Sequence, residues 1–457
     1  MVNGRVISRR EASSKLIFIE LLENNQHLQL VLSKATVDMS RGPLEPTGSP
    51  EFGRHHKLFR KGDIIQARGY VGKTKTGELS LFVTQPLRLL SPCLHDLPFR
   101  TGLRNYDRRY RQRYLDMLLN PDTRQLLRQR ALLIRTLRQY FDQRGFTEVE
   151  TPILWPQAGG ANARPFRTEA HALSDLPLQL RVAPELFLKR LVIGGLDRVF
   201  EIGKQFRNEG IDADHNPEFT TIEFYQAYTN MEGLIKTTEE LLREIAVAVT
   251  GSAQVTYSAA GTEPVLLDFK PPFKRIHVME ELERKLGESL PNLDDPDFAL
   301  AALTQICQRH RIRLCSPVTL PRVLDTLIGH YLEPNCIQPT FLYGHPKIMS
   351  PLAKSNDKDT SVTQRFELFM LGKEIVNAYE ELNDPEDQRA RFAQQLKDRA
   401  VGDEEAHNLD EGFCQSLEYG LPPTGGWGMG IDRLCAILTN VKHLRETLTF
   451  PIMRPSE

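Results

Sequence analysis

The sequence predicts an α+β protein in two parts: an N-terminal β-barrel, then a larger domain built on an antiparallel sheet flanked by helices. Three observations carry that prediction. Residues 2–103 read as short β-branched or alternating segments separated by turn residues. From Tyr106 the apolar period becomes that of helices. Beyond Gly145, strand-like and helical pieces follow one another without the regular alternation of a doubly wound fold, which favours an antiparallel sheet.

A chain of 457 residues implies two or three domains, and 40% hydrophobic with 26% charged residues fits a packed globular protein rather than a disordered one. No apolar run reaches bilayer-spanning length, and the opening "MVNGRVISRREASSKLIFIELL" lacks the apolar block of a secretory signal. A cytosolic protein is expected, and a processed organellar protein would read the same way. Six scattered cysteines with no CxxC pair argue against zinc and against a disulfide framework, and point to free buried thiols.

Five segments supply the front strands: "GRVISRR", "KLIFIELL", "LQLVLS", "DIIQARGYV" and "ELSLFVTQPLRLLS". Five strands in about a hundred residues suit an OB-type barrel, a fold that often holds single-stranded nucleic acid. "RGPLEPTGSPEFGRHH" reads as a Pro/Gly-rich loop. "GYVGKTKTG" (69–77) has the GKT of a phosphate loop, but Ala67 stands where the leading glycine belongs and a strand follows, so it reads as a hairpin turn. Residues 105–120 and 121–145 are helical, the second run stopping at Gly145. The domain boundary is expected between residues 103 and 104.

Net charge is −1, yet residues 1–140 carry 25 Lys+Arg against 12 Asp+Glu, leaving 33 against 47 for residues 141–457. A basic front on an acidic body suggests that the front meets a polyanion, the alternative being a chance surface asymmetry.

The stretch "FRNEGIDADHNPEFTTIEFYQAYTN" (206–230) is the most informative. Side chains alternate in a strand. Glu201, Gln205, Arg207 and Glu209 therefore share one side, with Phe200, Ile202 and Phe206 on the other. After the loop, Phe219, Thr221, Glu223 and Tyr225 share a side, while Ile222 and Phe224 point away. The result is a hairpin with one apolar and one polar face, either a solvated face with incidental ion pairs or a site. Near the end of the chain, residues 365–385 place Glu367, Glu374, Asn377 and Glu381 on a loosely strand-like stretch. "GGWGMGIDRL" (425–434) is a glycine-rich run leading into Arg433 and a helix, suited to close backbone approach to a ligand or simply a turn at a helix start.

These residues carry a family resemblance. "FRNEGIDADHNPEFTTIEFYQAY", "GWGMGIDRL" and "GFTEVETP" resemble motifs 2, 3 and 1 of class II aminoacyl-tRNA synthetases. "GGANARPF", "RVAPELFLKRL", "HPKIMSPLAK", "EIVNAYEELNDP" and "LEYGLPP" indicate the lysyl-tRNA synthetase branch, and the likeness covers nearly the whole chain. It implies a class II catalytic core, dimeric through motif 1, behind an anticodon-binding OB-fold. It further implies that ATP, with Mg2+, activates L-lysine to lysyl-adenylate and that lysine passes to the 3′ end of tRNA(Lys).

The resemblance also implies roles. Attack of a carboxylate on the α-phosphate needs charge stabilisation and positioning more than a base, because the nucleophile is already an anion. Arg207 and Arg433 are the implied catalytic residues: Arg207 grips the α-phosphate, and Arg433 with Phe219 sandwiches the adenine. Asn208, Glu209, His215, Asn216, Glu374, Ile375, Gly430, Ile431 and Asp432 complete the ATP site. Glu367 and Glu374 match the magnesium ligands. Gly160, Glu185, Glu223 and Asn377 lie toward the α-ammonium of lysine, with Glu381 and Tyr225 toward its ε-ammonium. In the barrel, Arg10, Phe18 and Gln29 match anticodon-reading positions, with Phe18 as ordinary barrel core the alternative.

Departures are small. The segment "TEAHALSDLPLQLRVAPEL" is one residue longer than the family pattern, and Gly425 replaces a usual alanine. The chain starts almost at the first barrel strand, so the basic extension of many eukaryotic relatives, with its nonspecific tRNA affinity, is not expected. The competing readings are a catalytically inactive RNA-binding paralogue, a lysine ligase acting on a protein, and an aspartyl- or asparaginyl-type enzyme.

Overall fold

The computed structural model describes residues 1–41, 51–173, 175–259, 261 and 263–455. The chain divides into two compact units, Met1–Gln125 and Leu126–Glu457.

In the first unit, β1 (Val2–Ser13), β2 (Leu16–Glu23), β3 (Gln26–Ser33), β4 (Ile64–Ala67), β5 (Gly69–Lys73), β6 (Leu79–Val83) and β7 (Arg88–Ser91) form one sheet in the order β5-β6-β3-β2-β1-β4-β7. Neighbours are antiparallel except β3 and β6, which are parallel. Among the described residues the five expected strands are thus seven. "DIIQARGYV" changes partner at Arg68: Ala67 pairs with Val2, Gly69 with Val83. A Cβ at Gly69 would collide with the Phe82 carbonyl, so glycine is what allows the switch. "ELSLFVTQPLRLLS" breaks around Pro86, which has no N–H for a ladder. The 69–77 segment is a hairpin as read, closed by Thr74 N–H to Glu78 O at 2.9 Å, with Gly77 at φ +87°.

The expected loop over 41–56 is corrected at its end: Phe52–Lys57 is a short helix, α1, while residues 42–50 lie outside the described residues. Phe52, His55 and His56 are buried, and the Phe52 ring joins the core of this unit, a signal hidden by the surrounding Pro and Gly. That core takes alternate residues of each strand, such as Ile17, Ile19 and Leu21 of β2 with Leu30 and Leu32 of β3.

The helix expected over 105–120 is two, α2 (Tyr106–Arg111) and α3 (Arg113–Leu119), broken at Gln112. They fold around the fully buried Asp116, which accepts from Arg109 Nε at 2.8 Å and is ion-paired to Arg113. Part of the basic excess of this region is therefore structural.

α4 (Pro121–Asp142) leads into the second unit. Its strands are β8 (Thr147–Glu148), β9 (Leu154–Trp155), β10 (Arg167–Thr168), β11 (Leu178–Leu180), β12 (Arg198–Phe206), β13 (Glu218–Ala227), β14 (Gln254–Tyr257), β15 (Val265–Asp268), β16 (Lys274–His277), β17 (Thr340–Tyr343), β18 (Arg365–Met370), β19 (Lys373–Glu380) and β20 (Thr424–Gly430). Its helices are α5 (Glu185–Ile193), α6 (Met231–Thr250), α7 (Val278–Leu286), α8 (Pro296–Arg309), α9 (Leu320–Tyr331), α10 (Pro385–Ala400), α11 (Glu411–Leu417) and α12 (Ile431–Leu438). Eight strands make the main sheet in the order β16-β17-β18-β19-β20-β13-β12-β8. It is antiparallel through its six central strands, as expected, but both outermost pairs are parallel. β8 is only two residues long.

One face of that sheet is apolar. Phe200, Ile222, Phe224, Leu368, Val376, Trp427 and Met429 pack against Leu137 and Phe141 of α4, Leu241 and Ile245 of α6, and Leu434 of α12. The Trp427 Nε1–H donates to the buried Thr238 Oγ1 at 2.8 Å, so the largest side chain in this layer is also satisfied. The opposite face is left to the site. α7, α8 and α9 form a separate apolar cluster. All six cysteines are free; four are buried as expected, Cys93 is half-buried and Cys315 exposed. Among the described residues no helix is long and apolar enough to cross a membrane.

Candidate active site

The polar face of the sheet carries a row of residues in register across five strands: Glu201, Glu223, Gly428, Asn377 and Glu367. A neighbouring row runs through Tyr225, Gly426, Tyr379 and Arg365. The central strand, β20, thus presents Gly426, Gly428 and Gly430 between side-chain-bearing neighbours, while its Trp427 and Met429 point into the core. The glycine run is not a turn: it is the strand that leaves the middle of the face open. A Cβ at Gly426 would collide with the Glu381 carboxylate and stand 2.6 Å from Tyr225 Cε1. Over this floor lies a cavity of roughly 450 Å³.

One end of the cavity is rich in carboxylates. Glu185, the first residue of α5, accepts from Tyr379 Oη at 2.7 Å and from Lys189 Nζ at 2.7 Å. Gly160, at φ +88°, passes so close that a Cβ would stand 2.9 Å from Glu185 Cβ. Burial first, and then Glu185, push the Glu223 carboxyl up to about 8, with Arg207 pulling the other way. Glu381 is 1% exposed, does not line the cavity, and is ion-paired to Lys189. Burial raises its pKa well above the usual carboxylate range against the pull of Lys189. The Tyr225 hydroxyl lies 3.4 Å from Glu223 Oε2.

The other end carries the arginines. Arg207 leaves β12 just as the hairpin loop begins, its N–H bonded to Pro217 O at 2.9 Å, and its guanidinium lies 5.1 Å above the Phe219 ring. Arg207 Nε and Asn216 Oδ1 are buried without a hydrogen-bond partner among the described residues and so are free to meet a ligand in the cavity they line. Arg433, in the first turn of α12, donates to Glu374 O at 2.8 Å and lies 3.4 Å from both Glu374 Oε2 and His215 Nε2. The other nitrogen of His215 lies 2.9 Å from Asp212 Oδ2. The Asp432 carboxylate is engaged by Arg130 at 2.5 Å and by the Thr220 N–H at 2.9 Å, so it ties α4, β13 and α12 together.

Glu367 and Glu374 stand on neighbouring strands of one hairpin, with a register shift between Leu368 and Phe369 that brings Glu374 as well as Asn377 to the cavity. Burial alone would raise the Glu367 pKa, but Arg365 and His345 overrule it and hold the carboxylate near 2. Two carboxylates facing a cavity with room for phosphate oxygens suit Mg2+, which keeps few protein ligands. Among the described residues, no group of three or more His, Cys, Asp or Glu forms a metal cluster by itself.

Of the expected site residues, Gly160, Glu185, Arg207, Glu209, His215, Asn216, Phe219, Glu223, Tyr225, Glu367, Glu374, Ile375, Asn377, Gly430, Asp432 and Arg433 line one cavity. Asn208 is exposed outside it, and Ile431 is in the core. Three neighbours were not singled out from sequence: Arg365, Tyr379 and Lys189. Arg365 stands two residues before Glu367 and Tyr379 two after Asn377, so strand alternation could have found both. Lys189 is one helical turn after Glu185.

In the first unit, Arg10 and Phe18 are cross-strand partners with the guanidinium 4.9 Å from the ring centroid. The row continues through Val31 to Phe82 and Tyr70, whose rings stack at 5.3 Å. Phe18 is half-buried on the face opposite the core, where Ile17 and Ile19 lie, so it is not core. Gln29 Nε2 donates to Ser80 Oγ at 2.9 Å on the same face. Aromatic rings beside an arginine make a surface on which bases can stack.

Comparison with known proteins agrees with this geometry. The family described as class II tRNA synthetases (D, K and N) matches residues 105–454, and the OB-fold nucleic acid binding domain matches residues 1–88. A lysine–tRNA ligase of Cladosporium cladosporioides is 45% identical over 99% of this chain and 75% of its own. Lysine–tRNA ligases of Halalkalibacterium halodurans and Bacillus subtilis are 46% and 41% identical, each over 99% of this chain and 86% of its own.

Proposed function

The chain belongs to the class II tRNA synthetases, and from that premise we infer that it is a lysine–tRNA ligase. It activates L-lysine with ATP and passes lysine to the 3′ end of tRNA(Lys). The observation that carries the choice of lysine is the end of the cavity where Glu185 and Glu223 open onto the space and Glu381 is buried against Gly426 and Tyr225. An ammonium is costly to bury unless carboxylates receive it, and this end offers three.

In this reading the lysine carboxylate oxygen attacks the α-phosphorus of ATP and pyrophosphate leaves. Arg207 holds the carboxylate and α-phosphate with its paired donors. Phe219 and Arg433 flank the adenine, which requires Arg207 to swing off the Phe219 ring it covers. Glu209, His215, Asn216, Ile375 and Gly430 surround the nucleotide, Asn208 and Ile431 standing outside the cavity, while Asp432 acts by holding α12 in place. Glu367 and Glu374 would hold Mg2+, which when bound would supply charge neutralisation on the phosphates. Gly160, Glu185, Glu223 and Asn377 receive the α-ammonium, and Glu381 and Tyr225 the ε-ammonium.

The front unit selects the tRNA. We assign anticodon binding to residues 1–103, with Arg10, Phe18 and Gln29 at the bases, and the remainder to catalysis. Two such chains form a homodimer through the motif 1 region. A cytosolic site of action accords with relatives named as cytoplasmic, such as that of Enterocytozoon bieneusi at 46% identity. The stacking row on the first unit speaks against a ligase for a protein acceptor, and the unpartnered Arg207 donor against an inactive paralogue.

Lysine-dependent ATP–pyrophosphate exchange followed by charging of mixed tRNA tests the whole reading. Exchange with lysine and with no other amino acid is expected, followed by charging of one isoacceptor group. Exchange with no amino acid would sink it.

A further inference from the structure

Lys189 is fully buried, and among the described residues no other lysine is. Its ammonium donates to Glu185 Oε1 at 2.7 Å and is ion-paired to Glu381, with the Phe413 and Tyr379 rings 5.5 and 5.8 Å away. The residue does not line the cavity. A helical pair with Glu185, one turn earlier, would already give the ammonium a partner. The second link, to Glu381 just beyond the end of β19, needs a different explanation. Glu381 is held where its other oxygen lies against Gly426, which lines the cavity beside Tyr225.

Charge supplies that explanation. Glu185, Glu223 and Glu381, all ionised as the receipt of ammonium groups requires, would carry three negative charges in a space with little water. L-lysine brings two ammonium groups, its own carboxylate being drawn to Arg207. We infer that Lys189 is a positioning residue: it fixes Glu381 and Glu185, and it lowers the charge of the pocket from three to two so that it matches the two ammonium groups of the substrate. This inference rests on the assignment of those three glutamates to the lysine pocket. The mutual crowding of the carboxylates is already visible at Glu223, where burial and Glu185 favour the protonated form. Burial, Glu185 and Glu223 raise Glu381 in the same way even against the pull of Lys189, and removing the fixed cation would raise it further.

Exchange kinetics on four variants test it. Lys189→Met should raise the lysine KM about 10- to 100-fold while the ATP KM stays within about twofold. Glu185→Gln should raise the lysine KM in the wild-type background but lower it when added to Lys189→Met, because the double variant again carries two negative charges. A Lys189→Met enzyme with unchanged lysine KM, or a Glu185→Gln effect of the same sign in both backgrounds, would overturn the inference. Should Lys189→Met not fold, the double variant against Glu185→Gln decides: the double must have the lower lysine KM, and a higher one refutes the charge count. Glu381→Gln is the control for the underlying assignment. If it leaves lysine KM unchanged, the pocket itself is misassigned; if it raises KM while Lys189→Met does not, only the role of Lys189 fails.

Discussion

The two ends of the cavity handle charge in opposite ways. At the carboxylate end, Glu185, Lys189, Tyr225 and Glu381 are all buried, and burial is the leading cause of the raised pKa values at Glu223, Tyr225, Tyr379 and Glu381. At the arginine end, side-chain exposure is 26% for Arg433, 39% for Glu374 and 51% for His215. An unmatched charge is expensive where water is absent and nearly free where it is present. Discrimination between amino acids therefore belongs at the buried end, where a missing ammonium leaves carboxylates unpaired. The open end suits a nucleotide that must enter and from which pyrophosphate must leave.

Variants can break that contrast. The largest effect is expected from Arg207→Ala, which removes the fixed donors assigned to the reacting phosphate; exchange kcat should fall on the order of 10²- to 10³-fold. A loss confined to the lysine KM would show that Arg207 serves binding only. Glu381→Gln keeps shape and hydrogen bonding but removes charge, and should lower lysine kcat/KM about 100-fold, or about 2–3 kcal/mol, with little change in the ATP KM. Equal losses for both substrates would erase the division between the two ends.

Acidity gives a smaller effect. Glu223 titrates near 8, raised by burial and by Glu185 and Glu201 against Arg207 and Arg181. Below that pH it holds a proton and cannot receive the α-ammonium of lysine, which itself stays charged up to roughly pH 8. Lysine KM should therefore fall about tenfold between pH 6.5 and 7.5 and level off above 8, with the ATP KM flat, as measured by exchange at each pH. A lysine KM that rises across this range would refute the assignment. Smallest of all, Glu374→Gln should raise the Mg2+ needed for half-maximal exchange a fewfold, because phosphate oxygens supply most of the ion's contacts; an unchanged requirement would remove Glu374 from the metal site.

Local pattern determined a good deal. Alternation in 198–227 assigned Glu223 and Tyr225 to one face and Phe224 to the other, because a strand has no choice about which way successive side chains point. The strand segments of the first unit and α4 were legible for the same reason: period is a property of neighbours. Motif likeness then gathered Arg207, Phe219, Glu367 and Arg433 into one expected site, and the fold brings them to one cavity. Position within a sheet is not a local property. That the glycines of 425–430 form a central strand, with Trp427 in the core and an open floor above, depends on β13 and β19 closing on either side. The parallel edge pairs depend on chain that returns from far away in sequence. Lys189 is the plainest case: from sequence it is one basic residue in an amphipathic helix, half of a common i,i+4 pair. Only the arrival of Glu381, 192 positions later, turns it into a buried cation, because a charge is defined by what surrounds it and the surroundings are made by the tertiary fold.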